Sequence, residues 1–256
     1  MSLFNKVLAS VGIGAAQVDT KFANTTMIAG EDVQGIVEVK GGSVGQDIDE
    51  IYLSLVTTYI RESNDTKYNE TAVISKFRIT EKFSINPNEL KQIPFSITIP
   101  NDTPLTIGRT KVWIETGLDI KSALDPTDKD YVKIVPLRIV EDVLNTVQSL
   151  GFRLREVECQ SAPRRLRGRL PFVQEFEYVP THGAFRGKLD ELELVFIPNS
   201  KTSVDILIQV DRRVRGLGSL LAEALEMDET NLRMTITSED IPSLSTKLSQ
   251  LISRYC

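Results

Sequence analysis

Residues 93–100 alternate strictly between apolar and polar side chains and contain prolines at Pro94 and Pro100. Alternation with a period of two is the pattern of a β-strand with one buried face. Because proline has no backbone N–H to donate, it is confined to edge strands and strand ends. The stretch is therefore predicted to form an edge strand of an antiparallel β-sandwich.

Further strands are predicted along both halves of the chain. A second alternating run, over residues 111–121, places Val112, Ile114, Leu118 and Ile120 on one side. Turn-forming residues separate the remaining alternating runs, as in an all-β sandwich. These predicted strands cover residues 17–28, 33–40, 48–60, 71–85, 152–159, 172–179, 189–197, 203–211 and 231–237.

Helical spacing of apolar residues is confined to residues 2–11, 141–150 and 240–254, and Gly151 is expected to end the middle helix. The terminal helices are expected either to pack on their own sandwich or to dock on a partner. We predict an N-terminal β-sandwich lobe over residues 1–140, a C-terminal β-sandwich lobe over 141–239 and an amphipathic helix over 240–256.

Composition is consistent with this division. The chain has 256 residues, of which 41% are hydrophobic and 25% charged, so two cores of ordinary size are expected.

No apolar run approaches the roughly 18 residues of a membrane-spanning helix. Residues 7–16 are faintly similar to a secretory signal, but Gly12 and Gly14 dilute the apolar stretch. The only cysteines, Cys159 and Cys256, form no disulfide framework, and a reducing, cytoplasmic location is expected.

The inventory of catalytic side chains is small. The single histidine, His182, lies between Pro180 and Gly183, where a turn is expected. Without a second histidine or a nearby cysteine, a His-based zinc site is excluded, and so is a Ser-His-Asp triad built on another histidine. The acidic neighbours of Cys159 raise rather than lower a thiol pKa, so this residue is expected to pack inside the second lobe. We therefore expect no cofactor and no enzymatic activity.

The alternative from another class is a carbohydrate-binding or carbohydrate-active β-sandwich. Glu191 and Glu193 lie two apart on a predicted strand and project to the same face. Residues 125–130 are strongly acidic, although a plain turn is the expected structure there. This alternative requires that Glu191, Glu193 or Asp128 line a pocket in which Trp113 forms a sugar platform.

Arginine is concentrated in the second half of the chain, where 12 of the 16 arginines lie. Arginine makes bidentate contacts with carboxylates and phosphates, so the clusters are candidates for binding an acidic or phosphorylated protein partner. The alternative is a solvated loop neutralised by Glu156, Glu158, Glu175 and Glu177. Nucleic acid is disfavoured, because the net charge is -5 and no aromatic residues alternate with the arginines. The candidate partner-binding residues are Arg164, Arg165, Arg167, Arg169, Arg212, Arg213 and Arg215.

Several segments resemble the SpoOM sporulation-control family, whose members look like two-lobed arrestins. The more specific ones are Thr-Gly-Leu-Asp-Ile-Lys at 116–121 and Arg-Gly-Leu-Gly at 215–218; residues 94–100, 170–178 and 185–193 are also similar. The resemblance implies an arrestin-like, non-enzymatic regulator of an early stage of endospore formation. A homodimer is a further expectation, because sheet edges and amphipathic terminal helices are both adhesive.

Overall fold

The computed structural model describes residues 15–63, 66–120, 126–162, 166, 168–211 and 231–255. These residues form fourteen β-strands, two α-helices and two short 3-10 helices. The strands of the first half are β1 (Gln17–Phe22), β2 (Thr26–Ile28), β3 (Asp32–Lys40), β4 (Gln46–Ser63), β5 (Thr66–Arg78), β6 (Phe83–Ile85), β7 (Leu90–Thr98), β8 (Val112–Ile120) and β9 (Thr127–Val135). The second half contains α1 (Arg138–Ser149), β10 (Phe152–Ser161), β11 (Phe172–Pro180), β12 (Glu191–Ser200), β13 (Ser203–Asp211), β14 (Asn231–Thr237) and α2 (Leu244–Ser253).

The strands are arranged in two sheets. The smaller sheet has the order β1-β3-β7, and the larger follows the path β14-β13-β12-β11-β10-β4-β8-β9-β2, with β5 and β6 also pairing with β4. Strand β7 lies at the edge of the smaller sheet and contains Pro94, which confirms the predicted edge strand. Phe95 and Ile97 point to the core, whereas Pro94 and Ser96 are exposed, as the alternation predicts.

Strands β10 to β14 form an antiparallel meander in the second half. The predicted bounds of β13 and β14 agree with the structure. One face of this meander is apolar and faces the core. Of the residues predicted for that core, Phe196 is partly buried, and the others are buried: Leu192, Leu194, Val204, Ile206, Ile208 and Val210. Period-two alternation thus assigned this core face correctly.

The two halves are joined through β4 and β10, which pair in parallel where Gln160 lies opposite Ile60. Buried apolar residues of both halves also belong to one contiguous cluster. Val37 in β3 and Leu192 in β12 are two of its members. The predicted division at residues 140 and 141 falls inside α1, and it stays a prediction.

Helix α1 begins at Arg138, three residues before the predicted start, and Gly151 follows it with φ +102°. Its apolar stripe, which includes Val143, Leu144 and Val147, is buried, and the helix packs on β10, β13 and α2. The predicted C-terminal helix is divided, because Pro242 lies in a 3-10 helix over Ser238–Ser243 that precedes α2. The predicted helix over residues 2–11 lies outside the described residues.

Two strand predictions are corrected by the structure. The single strand predicted for residues 17–28 is two strands in different sheets, because Asn24 Oδ1 accepts a hydrogen bond from the Thr26 N–H in a local turn between them. Similarly, the strand predicted for residues 71–85 is divided into β5 and β6.

The acidic stretch expected to form a turn instead begins β9. Asp128 Oδ2 accepts a hydrogen bond from the Thr20 N–H at 2.8 Å, which ties β9 to β1. Val132 and Ile134 continue the strand with their side chains in the core. The all-β prediction is confirmed, and the curled larger sheet is consistent with an arrestin-like fold.

Candidate interaction surface

Strand β14 forms an end of the larger sheet, and among the described residues it pairs with β13 alone. It contains no proline, so every residue keeps its backbone N–H. Ile236 is buried, whereas Leu232 and Met234 on the same face are half-buried at the margin of the core. A strand whose outer backbone groups have no strand partner among the described residues, and whose apolar side chains are partly covered, is suited to pairing with an added strand.

Strand β7 is a less suitable edge. Pro94, in the middle of the strand, has no N–H to donate to an added strand. The Phe95 ring is held on the core side, where it packs over Gly35 and lies edge-on to Phe22 with ring centroids 5.7 Å apart. Leu90, at the start of β7, is 60% exposed. Natural sheets protect their edges with proline in this way.

Of the seven candidate arginines, Arg169 is described by the structure, and Arg164, Arg165, Arg167, Arg212, Arg213 and Arg215 lie outside the described residues. The Arg169 guanidinium forms a bidentate ion pair with Asp102, with nitrogen–oxygen distances of 2.5 and 3.1 Å. It also donates a hydrogen bond to the Ile74 carbonyl oxygen. Arg169 therefore connects the second half of the chain to two segments of the first.

A cavity of about 460 Å³ lies beside this ion pair, between the two halves of the chain. We call it the central cavity. Its walls come from the loop at residues 100–105, from α1, from Leu166, from residues 168–176 and from β12. On one wall the rings of Phe176 and Phe196 meet edge-on with centroids 5.1 Å apart. No pattern in the sequence indicates this cavity, because its walls are distant along the chain.

Gln174 links the two halves at the wall of this cavity. Its Oε1 accepts a hydrogen bond from the Leu105 N–H, and its Nε2 donates to the Leu105 carbonyl oxygen, both at 2.8 Å. Nε2 also donates to Thr110 Oγ1 at 3.1 Å. The side-chain amide thus pairs with the backbone of Leu105 as a neighbouring strand would.

The opposite face of the second-half meander carries a set of acidic residues that we call the glutamate array: Glu156, Glu158, Glu175, Glu177, Glu191 and Glu193. The six residues form a Glu-x-Glu pattern in three neighbouring strands, with Glu156 opposite Glu177 and Glu177 opposite Glu193. Five of them are buried, and Glu156 is partly exposed. The expectation that Glu158, Glu175 and Glu177 neutralise a solvated loop is therefore corrected, because these side chains lie in a covered sheet face.

Two arginines are paired with part of the glutamate array. Arg155 forms ion pairs with Glu177 and with Glu191, the latter at 2.5 Å. Arg109 Nη1 lies 3.0 Å from Glu158 Oε1 and 3.3 Å from a Glu156 oxygen. Burial, together with the neighbouring Glu156, nevertheless raises the pKa of Glu158 above its ordinary value.

Glu175 differs from its neighbours. Its side chain is 4% exposed, and its Oε1 has no hydrogen-bond partner in the described part of the chain. Burial, with a smaller effect of the Glu158 charge, raises the pKa of Glu175 to about 8. The residue is therefore predominantly protonated at neutral pH.

The repeated Glu-x-Glu pattern was the sequence signal from which the array could have been recognised.

The carbohydrate alternative is not supported by this geometry. Glu191 is held by Arg155 in a buried face, and four strands separate β12 from β9, which carries Asp128. Trp113 is only 6% exposed, and Lys129 Nζ lies over its ring at 4.0 Å from the centroid. These residues therefore do not form a pocket with an open aromatic platform.

The remaining candidate groups agree with their predicted environments. His182 is exposed beside a 3-10 turn, and its Nδ1 lies 3.1 Å from Thr181 Oγ1. Cys159 is buried, and burial raises the pKa of its thiol to about 12, so the reactive thiolate is disfavoured. Within the described ranges, no group of three or more His, Cys, Asp or Glu side chains is arranged to hold a metal ion.

Comparison with known proteins agrees with the resemblance. Residues 4–214 match the family described as SpoOM protein. The chain belongs to the SpoOM family. It is 43% identical, over 258 aligned residues covering 100% of this chain and 99% of the relative, to the sporulation-control protein spo0M of Bacillus subtilis (strain 168). The crystal structure of Spo0M from Bacillus subtilis matches with a TM-score of 0.88 at 42% identity, covering 95% of this chain and all of that one.

The relationship extends over nearly the whole length of both proteins, so the arrestin-like SpoOM fold prediction is confirmed. The similarity to a sporulation-control protein supports a regulatory role in sporulation for this SpoOM-family chain. Among the described residues, no helix has the length and apolar character needed to cross a bilayer.

Proposed function

We propose that this protein is a cytoplasmic, non-enzymatic regulator of an early stage of endospore formation that acts by binding other proteins. Its relationship to a sporulation-control protein supports the role in sporulation. The position of β14 at an end of the larger sheet, with no outer strand among the described residues, supports the mode of action. An extended partner segment pairs with β14 and covers the half-buried Leu232 and Met234.

The arginines of the second lobe give this interaction its charge preference. Guanidinium groups bind carboxylates and phosphates through two parallel hydrogen bonds. We propose that an acidic or phosphorylated feature beside the partner segment contacts Arg164, Arg165, Arg212 and Arg213, and that Arg167 and Arg215 contribute to the same positive surface. The bidentate pair of Arg169 with Asp102 illustrates the contact geometry.

Edge pairing is tested with two matched substitutions. Met234→Lys places a charged, strongly hydrated side chain on the β14 edge, and Leu90→Lys makes the same change on the β7 edge. After cross-linking in sporulating cells, we expect Met234→Lys to reduce recovery of specific partners, identified by mass spectrometry, at least fivefold. Leu90→Lys should leave recovery unchanged, and equal recovery by both variants and wild type would contradict strand addition at β14.

The arginine contribution is tested separately by replacing Arg164, Arg165, Arg212 and Arg213 with glutamine. Reduced recovery of the same partners is expected, and unchanged recovery would remove the arginines from the proposal. Light scattering of the purified protein shows whether a second copy occupies the β14 edge. A homodimer that Met234→Lys dissociates would make this chain its own partner at that edge.

A further inference from the structure

We propose that the central cavity binds a small, neutral, predominantly apolar molecule. The cavity has a volume of about 460 Å³, which is within the range of roughly 300–1,000 Å³ typical of small-molecule sites. Its position between two halves of a chain is also a common place for such sites. This inference is independent of partner binding at the β14 edge.

The charge of the cavity wall favours a neutral ligand. Among the described residues, Asp102 and Arg169 are the charged ones that line it, and they neutralise each other through their bidentate ion pair. The Arg169 guanidinium is further occupied by the Ile74 carbonyl oxygen. A charged ligand would lose its hydration and would have to compete with these existing contacts.

Most of the polar side-chain groups of the wall are hydrogen-bonded within the chain, which favours a predominantly apolar ligand. Gln174 uses its carboxamide on Leu105 and Thr110, and Thr103 Oγ1 donates to the Pro100 carbonyl oxygen at 2.7 Å. Asn101 Oδ1 is buried beside Gly30 and has no hydrogen-bond partner in the described part of the chain, so the wall holds one unpaired neutral acceptor.

Apolar side chains make up most of the remaining wall, including Val140, Leu170, Phe176 and Phe196. A peptide entering this space would leave backbone N–H and C=O groups unpaired, whereas a compact apolar molecule would not. Aromatic rings on the wall favour an aromatic or branched aliphatic ligand.

The wall offers two positions for filling the cavity. Gly168 lies on it, has no atom within 4 Å of a Cβ built there, and has no positive φ, so a side chain can be added without backbone strain. Val140 lines the cavity from α1. Gly45 is a matched control, because it is exposed, is not among the lining residues, and would place a Cβ at an ordinary 3.6 Å from its nearest neighbour.

The test uses N-phenyl-1-naphthylamine, a neutral fluorescent probe, and its anionic relative 8-anilino-1-naphthalenesulfonate. With the full-length protein we expect saturable binding of the neutral probe at one site and at least tenfold weaker binding of the anion. Gly168→Trp or Val140→Phe should weaken binding of the neutral probe at least tenfold, and Gly45→Trp should not.

Near-ultraviolet circular dichroism establishes that each variant retains its tertiary packing. Absence of saturable binding to the wild type would overturn the proposal, as would wild-type affinity in both cavity-filling variants. Equal or tighter binding of the anion would overturn the assignment of a neutral ligand.

Discussion

Glu175 and Glu191 lie on neighbouring strands of the same sheet face, yet their carboxyl groups are in different environments. Glu191 is paired with Arg155 at 2.5 Å, whereas the Oε1 of Glu175 has no hydrogen-bond partner in the described part of the chain. A buried carboxylate is costly, and the charge of Lys67 only partly offsets the effect of burial on the pKa of Glu175, so the group retains its proton. Burial and ion pairing thus differ between neighbouring members of the glutamate array.

Stability should therefore depend on pH through Glu175. Its pKa is about 8 in the folded protein against an ordinary value of 4.5, so the folded state holds this proton more tightly. The resulting stabilisation is fully present below pH 4.5 and is lost progressively as the pH rises to about 8. Glu175→Gln keeps a neutral side chain, and we expect it to be more stable than wild type at pH 8 by about 1–3 kcal/mol.

Urea unfolding of wild type and Glu175→Gln between pH 5 and pH 8.5 measures this difference. The free energies of unfolding should diverge with rising pH. Glu191→Gln is the matched control, because it weakens an ion pair and should lower stability at pH 7. Parallel pH profiles of wild type and Glu175→Gln would show that Glu175 does not retain its proton.

Helix α1 illustrates how an element depends on its surroundings. It has 12 residues, a length at which an isolated helix is only marginally stable in water. Its N-cap residue, Leu137, has an apolar side chain and provides no capping hydrogen bond to the first turn. Burial of its apolar stripe against β10, β13 and α2 is therefore the main contribution to its stability.

A pair of alanine substitutions in α1 tests this dependence. Leu144 is buried and Asn145 is exposed at the next position along the helix. We expect Leu144→Ala to lower the free energy of unfolding by about 2–5 kcal/mol, because it leaves a cavity in the core. Asn145→Ala should change it by less than about 0.5 kcal/mol. Similar urea midpoints for the two variants would contradict the assigned packing of α1.

At the scale of the whole molecule, several contacts join the two halves. The β4–β10 pair, the hydrogen bonds of Gln174 to Leu105 and the Asp102–Arg169 ion pair all connect them. Their buried apolar residues also form one cluster. We propose that residues 1–140 and 141–239 are two lobes, with the C-terminal segment from residue 240, which contains α2, packed on the second, and that they unfold as one cooperative unit.

The single tryptophan allows this proposal to be tested. Trp113 lies in the first lobe, whereas Leu192 is fully buried in the second. Leu192→Ala should cost about 2–5 kcal/mol, and the urea midpoint from Trp113 fluorescence should shift as far as the midpoint from circular dichroism. Leu53→Ala, in the first-lobe core, is the positive control, because it shows how far the fluorescence midpoint shifts when the lobe that contains Trp113 is itself destabilised. An unshifted fluorescence midpoint in Leu192→Ala would show that the lobes unfold independently.

Local patterning accounts for the parts of this fold that were predicted. The bounds of β13 and β14 and the edge position of β7 agree with the structure, because alternation, turn residues and proline act on the backbone where they occur. Strand β9 was missed because its first four residues have the composition of a turn. Its pairing with β8 and the bond from Thr20 to Asp128 outweigh that local preference.

The amino-acid sequence alone determined the all-β class, most strands and the side chains that share a face, since these follow from a backbone period of two. Tertiary structure decided what covers each face: it buried the glutamate array, placed Arg169 against Asp102 and enclosed the central cavity. The physical reason is that burial, ion pairing and cavity shape depend on distances between residues far apart in the chain. A repeating local pattern carries no information about those distances.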